Sequence, residues 1–126
     1  MRFPFQYAVL RAVPRVDRGE FINVGVILYC QQCEFLRAAV AVDDARLRAL
    51  TAEVDLDAVR TAAEGVVAAC LEPVGQARQN DGLAHRFGML TAPRSTVVQP
   101  SPVHAGITTD PERTLDELMR RLVIAS

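Results

Sequence analysis

Residues 93–107 of the chain read PRSTVVQPSPVHAGI. Four side chains in this stretch have types suited to chemistry: Arg94, Ser95, Ser101 and His104. An imidazole titrates near ~6.5 and can serve as acid, base or pH switch. A serine becomes a nucleophile only beside a base, with an orienting acid and oxyanion donors. No Gly-x-Ser-x-Gly elbow is present, and a single histidine after a strand more often bonds to backbone. Arg94 between these hydroxyls reads better as an anion grip, because a guanidinium donates paired bonds to phosphate or carboxylate.

A second stretch, VPRVDRGEFINVGV at 13–26, carries Arg15 and Arg18 in a turn beside Asp17 and Glu20. The plainer reading of that turn is a solvated loop with local ion pairs, which are worth little. Asn23 is the one polar residue of an otherwise apolar strand. A buried amide must find hydrogen-bond partners, so Asn23 either ties down a neighbouring segment or faces a ligand. Arg15, Arg18, Asn23, Arg94, Ser95, Ser101 and His104 are therefore the candidate ligand-binding residues. They form one anion-receptive pocket only if the turn at 14–20 packs near the strand at 95–99.

The third motif is YCQQC at 29–33, a Cys-x-x-Cys. A structural zinc site needs four ligands, commonly two such pairs. Only Cys70, His85 and His104 remain to complete one, and Cys70 falls on the apolar stripe of a helix. A redox dithiol sits at a helix N-terminus, which lowers its thiol pKa, whereas this pair flanks a turn. We therefore expect no metal and no cofactor. There is also no Walker loop, no dinucleotide glycine fingerprint and no pair of carboxylates at metal-binding spacing.

The elements that must position these residues follow from periodicity. FQYAVLRAV at 5–13 alternates as a strand does. FINVGVILYC at 21–30 is apolar on both faces apart from Asn23, which suits a central strand covered on both sides. Gly25 within it points to a bulge or a close backbone approach. EFLRAAVAV at 34–42 makes a third strand, and the short links favour antiparallel pairing. Asp43 is placed to cap the helix DARLRAL, and Asp55 to cap a longer helix over 56–71. Leu56, Val59, Ala63, Val66 and Cys70 recur there at helical spacing. Pro73 ends that helix. EPVGQARQNDG reads as a polar loop and LAHRFGMLTA as a short helix. Residues 95–99 read as a fourth strand, and PSPVHAGITT as a loop too rich in proline for a central strand. Asp110 caps a last helix with Pro111 at its first position, and Leu115, Leu118, Met119 and Leu122 form its buried stripe. The order β-β-β-α-α-α-β-α predicts an α+β domain over residues 1–126. It has a small, mainly antiparallel sheet of about four strands covered by helices.

Composition narrows the function classes. The 126 residues carry a net charge of −1, so no global field attracts nucleic acid. All 14 basic residues are arginine. GC-rich coding, which favours Arg, Ala and Val together, accounts for that bias. The few aromatics fall at strand positions facing a core, where stacking on a base is not expected. No apolar run approaches the ~20 residues of a membrane helix, and the N-terminus lacks a signal-peptide cleavage pattern. The expectation is a cytoplasmic protein with no membrane or nucleic-acid partner.

Two stretches together are distinctive. YAVLRAVPRVDRGEFINVGVILYC with EFLRAAVAVD, and RFGMLTAPRSTVVQPSPVHAGITTDPERTLDELMRRLV, resemble the bacterial family known as domain of unknown function 3037 over about residues 5–123. Cys33 departs from the family's pattern. The family brings no established activity, so the resemblance assigns no catalytic role. Arg15, Gly19, Glu20, Asn23, Gly25, Arg94, Ser95, Gln99, Ser101, His104 and Gly106 lie within the matching motifs. Family genes often lie beside one for a kinase-like protein of the HipA type. The resemblance therefore implies a non-enzymatic interaction or regulatory module for such a partner. The alternative is a small anion- or phosphate-binding domain, or enzyme, built on the Arg/Ser/His group. A homo-oligomer pairing the strand at 95–99 across a two-fold axis is a third arrangement, opposed by the flanking prolines.

Overall fold

The computed structural model describes residues 1–74 and 79–124. Strand β1 (Phe3–Ala12) is the centre of the sheet, with β2 (Ile22–Cys30) and then β3 (Phe35–Val40) on one side. On its other side β1 pairs with two short strands in succession, β5 (His104–Thr108) along its first half and β4 (Val98–Pro100) at its end. All these pairings are antiparallel. The helices are α1 (Asp44–Leu50), α2 (Leu56–Leu71), α3 (Gln79–Leu90) and α4 (Pro111–Met119), the last continued by a π-helical turn, Arg120–Ile124. This is the expected α+β class.

Alternation along the strands splits the apolar residues between two faces. Ala8, Leu10, Ala12, Val24, Ile27, Tyr29, Leu36 and Ala38 pack against Leu47, Val59, Cys70, Leu83 and Phe87 of α1, α2 and α3. Phe5, Val26, Leu28 and Cys30 pack against Leu115, Leu118, Met119 and Val123. The sheet is thus the middle of three layers. On the first face the helices cover Ala8, Leu10 and Ala12 of β1, while Pro4 and Gln6 at its start are exposed; on the second, α4 lies over β2 and β3. The second face of β1 is only partly roofed.

Gly25 behaves as its position in the strand suggests. The β1–β2 register shifts between Leu10 and Arg11, so that Leu10 opposes Gly25 while Arg11 opposes Asn23. A Cβ at Gly25 would lie 2.6 Å from the Ala39 carbonyl oxygen and 2.8 Å from Val40 Cγ1. Only a residue without a side chain fits there.

The aspartates cap as expected. Asp43 accepts from the Arg46 amide at 3.1 Å, Asp55 from Ala58 at 3.0 Å and Asp110 from Arg113 at 3.3 Å. Each such cap is worth about 1 kcal/mol. Three boundaries differ from expectation. The fourth strand begins at Val98 rather than at residue 95 and includes Pro100. The presumed loop after it contains β5. Both prolines precede that strand, and β5 lies at the sheet edge, so the rule against proline in central strands does not reach it. Of the polar loop expected at 72–82, residues 75–78 lie outside the described residues, and Gln79–Gly82 already belong to α3.

Candidate functional site

β1 serves as a ruler for the residues singled out in the sequence. At its far end the Val13 amide donates to the Val97 carbonyl at 2.7 Å. Farther back, Ser101 lies against Val9, and His104 opposes Tyr7. Tyr7 and Val13 are six residues apart, roughly 20 Å of strand. The candidate residues are therefore spread along the sheet edge.

Each has its own local partner. Arg94 donates from Nη2 to the Met89 carbonyl and from Nε to the Ala92 carbonyl, the latter at 3.4 Å. It closes the C-terminus of α3, where carbonyls lack helical partners and a cation is favoured. Ser101 is buried. Its hydroxyl accepts from the Val9 amide at 2.8 Å and donates to the Pro102 carbonyl at 2.9 Å, filling the gap in the ladder between β4 and β5. Ser95 is exposed. His104 is exposed, with its ring 5.3 Å from that of Tyr7. Arg15 pairs with Asp17 at 3.4 Å and Arg18 with Glu20 at 2.8 Å. Both arginines line a small recess with Pro14, Leu50 and Thr51. Asn23 ties down a neighbouring segment, its Nδ2 donating to the Leu122 carbonyl at 3.0 Å.

The thiols have their own arrangement. Cys30 is buried and donates to the Pro4 carbonyl at 3.4 Å. Burial, with the adjoining Cys30 thiol, pushes Cys33 up to about 11. Burial likewise pushes Cys70 up to about 11. These shifts keep both thiols protonated at neutral pH, opposite to what a nucleophilic cysteine requires. Among the described residues no three His, Cys, Asp or Glu side chains gather closely enough to hold a metal ion.

A different constellation emerges on the partly roofed face. Residues directly opposed in an antiparallel pair point to the same side of the sheet. Arg11 opposes Asn23 on β2 and Gln99 on β4, which puts Asn23, Arg11 and Gln99 in one row across three strands. The neighbouring row, Ile22, Ala12 and Val98, faces the α2–α3 core. The Asn23 bond to Leu122 confirms that the polar row faces the α4 side.

Two atoms of this row are buried without a partner: Arg11 Nε and Asn23 Oδ1. The orientation of the Asn23 amide is fixed, because only its NH2 can donate to the Leu122 carbonyl. Arg11 makes no ion pair or hydrogen bond among the described residues. Its guanidinium lies over the Phe21 ring, 4.3 Å from the centroid. A cation–π contact is worth roughly 0.5–2 kcal/mol. It leaves the buried Nε donor without a partner, and an unmet hydrogen bond to a charged group costs more than a neutral one. Gln99 Nε2 donates to the Thr96 carbonyl at 2.9 Å, which turns its amide toward its own loop.

Neither Arg11 nor Phe21 is among the candidate residues singled out from the sequence. The available signal was Arg11 itself, the one charge inside the alternating run from Phe3 to Val13. Chemically, the row holds a guanidinium stacked on an aromatic ring with no counter-ion among the described residues, on the same side of the sheet as the Asn23 amide.

No helix among the described residues is long and apolar enough to cross a membrane. No curated protein and no solved structure matches the chain. The family described as a protein of unknown function, DUF3037, matches residues 7–123, a span that includes the whole polar row and the edge strands beside it, and the chain belongs to that family.

Proposed function

We propose that this chain is a non-enzymatic interaction module, acting in the cytoplasm on a kinase-like partner of the HipA type. The observation that carries this reading is the β5 edge. Among the described residues β5 pairs with β1 alone, so its outer row of backbone groups is open to a further strand. Its flank is apolar: Ile107 is 54% exposed and Val103 40%. Beside it, Pro4, Gln6 and Ala105 border an open recess of about 180 Å³. Main-chain pairing along β5 would supply affinity, and these side chains specificity.

The test is size-exclusion chromatography with light scattering on the chain mixed with a purified kinase-like partner encoded beside it. The expected result is a 1:1 complex that Ile107→Asp abolishes while the melting temperature stays within a degree or two. A chain that ignores the partner, or binds it equally well as Ile107→Asp, refutes this reading. A homodimer lost in the same variant would reassign the edge to self-association.

A second reading, a small anion-binding domain, is favoured by one observation. Arg94 and Ser101 spend their donors on backbone carbonyls, but Arg11 has no counter-ion among the described residues.

A further inference from the structure

We propose that Cys30 and Cys33 form a reversible disulfide across the β2–β3 turn, by exchange with a low-molecular-weight disulfide such as oxidised glutathione. The pairing is independent of both readings above, because it depends on the turn alone. The last residue of β2, Cys30, opposes the first of β3, Phe35. Between them the chain reverses over Gln31–Glu34. The Glu34 amide closes the reversal by donating to the Gln31 carbonyl at 3.1 Å, and Glu34 itself is left-handed at φ 50°. In such a reversal, residues three apart fall within the Cα separation that a disulfide spans, about 4.4–6.8 Å. Both side chains go to the same side of the sheet. Cys30 belongs to the cluster with Phe5, Leu115 and Leu118, and Cys33 packs against that cluster. The two thiols adjoin there.

Access sets the order of events. Cys33 is half-buried and Cys30 buried. The Cys33 thiolate attacks the small disulfide, forming a mixed disulfide and releasing one small thiol. The adjoining Cys30 sulfur then attacks the Cys33 sulfur and releases the second. One dithiol and one disulfide become one disulfide and two thiols, and each protein thiol's hydrogen ends on a released thiol. Cys30 needs no opening to solvent, because the sulfur it attacks is already inside the protein. The tightly held proton of Cys33 slows the first step. The same property makes Cys33 a poor leaving group, so the disulfide, once formed, resists attack. That profile suits a slow, lasting oxidation rather than a catalytic dithiol. Cys30 also donates its thiol hydrogen to the Pro4 carbonyl at 3.4 Å, and Pro4 opposes Ile107 of β5. Oxidation removes that hydrogen, so the redox state reaches the start of β1.

The experiment incubates the folded chain with oxidised glutathione at mildly alkaline pH and maps the products by non-reducing mass spectrometry. The expected product joins Cys30 to Cys33 and leaves Cys70 as the remaining free thiol, and dithiothreitol restores all three thiols. Cys70→Ser should leave the link unchanged. Cys33→Ser should abolish it, and Cys30→Ser should stop at the mixed disulfide on Cys33. The equilibrium constant for exchange with glutathione should be at least about tenfold higher in the folded chain than in urea, where no turn holds the thiols together. A constant no higher in the folded chain overturns the proposal, because the fold would then contribute nothing to the bond. A chain that keeps all three thiols overturns it as well. So does one that stops at the mixed disulfide with both cysteines present, or one that links Cys33 to Cys70 or to a second chain.

Discussion

Leu10 and Arg11 are neighbours on β1 and point to opposite sides of the same sheet. Leu10 is 1% exposed, in a core closed by helices. Arg11 is half-buried, on the side where α4 packs over β2 and β3. The first face around Leu10 is closed by helices, although it opens at Pro4 and Gln6 at the start of β1. The second ends in a row of polar groups whose needs are not met internally. Folded interiors satisfy nearly all buried polar atoms, and Arg11 Nε and Asn23 Oδ1 stand out against that rule. A second contrast makes the same point. Arg94 and Arg11 are both arginines at the ends of elements, yet Arg94 is committed to the α3 carbonyls and Arg11 to no hydrogen-bonding partner.

The contrast between the faces can be pressed at several positions. The largest effect belongs to Leu10→Ala, which opens a cavity in the closed core. Chemical denaturation should show a loss of about 2–5 kcal/mol, and a loss below 1 kcal/mol would mean that the first face is less tightly packed than its burial indicates. Next is Gly25→Ala. The added methyl group meets the Ala39 carbonyl, so a loss of about 1–3 kcal/mol is expected. A neutral result would mean that the bulge relaxes freely and does not hold Arg11 in register with Asn23.

The third effect depends on pH. Cys70 keeps its proton in the folded state up to about 11, whereas its ordinary value is 9.0. The unfolded chain therefore releases that proton first as the pH rises. The contribution is fully present below pH 9 and is lost between pH 9 and about 11. Thermal melts should show stability falling across that window, and Cys70→Ala should flatten the fall. An equal slope in the variant would assign the loss to other groups.

The smallest effects separate the two arginines. Arg94→Ala should cost about 0.3–1 kcal/mol through the lost end of α3. Arg11→Met should leave stability unchanged within about 0.5 kcal/mol or raise it, because an unpaired, half-buried cation is replaced by an apolar side chain of similar length. A loss above 2 kcal/mol in Arg11→Met would make Arg11 a structural residue and erase the distinction between the faces.

Much of the fold was legible because it rests on interactions short in sequence. The caps at Asp43, Asp55 and Asp110 each bond an amide three residues on. Strands β1 to β3 announce themselves through alternation and tight links, and Gly25 through its presence inside an apolar run. β5 was less legible. The prolines before it signalled a break, and its place at the edge depends on the rest of the sheet.

The candidate site was the least legible part. The sequence by itself determined which residues have polar or charged ends, and that Asn23 must bond to something. It could not say that Leu122 would receive that bond, that α3 would claim Arg94, or that Ser101 would fill the ladder at Val9. Nor could it bring Arg11, Asn23 and Gln99 into one row. That alignment depends on cross-strand register, on a bulge that shifts the register by a residue, and on which part of a face a distant helix covers. Alternation is a local property of the backbone and survives in the sequence. Register and coverage arise from contacts between residues far apart in the chain, and only the tertiary structure decides them.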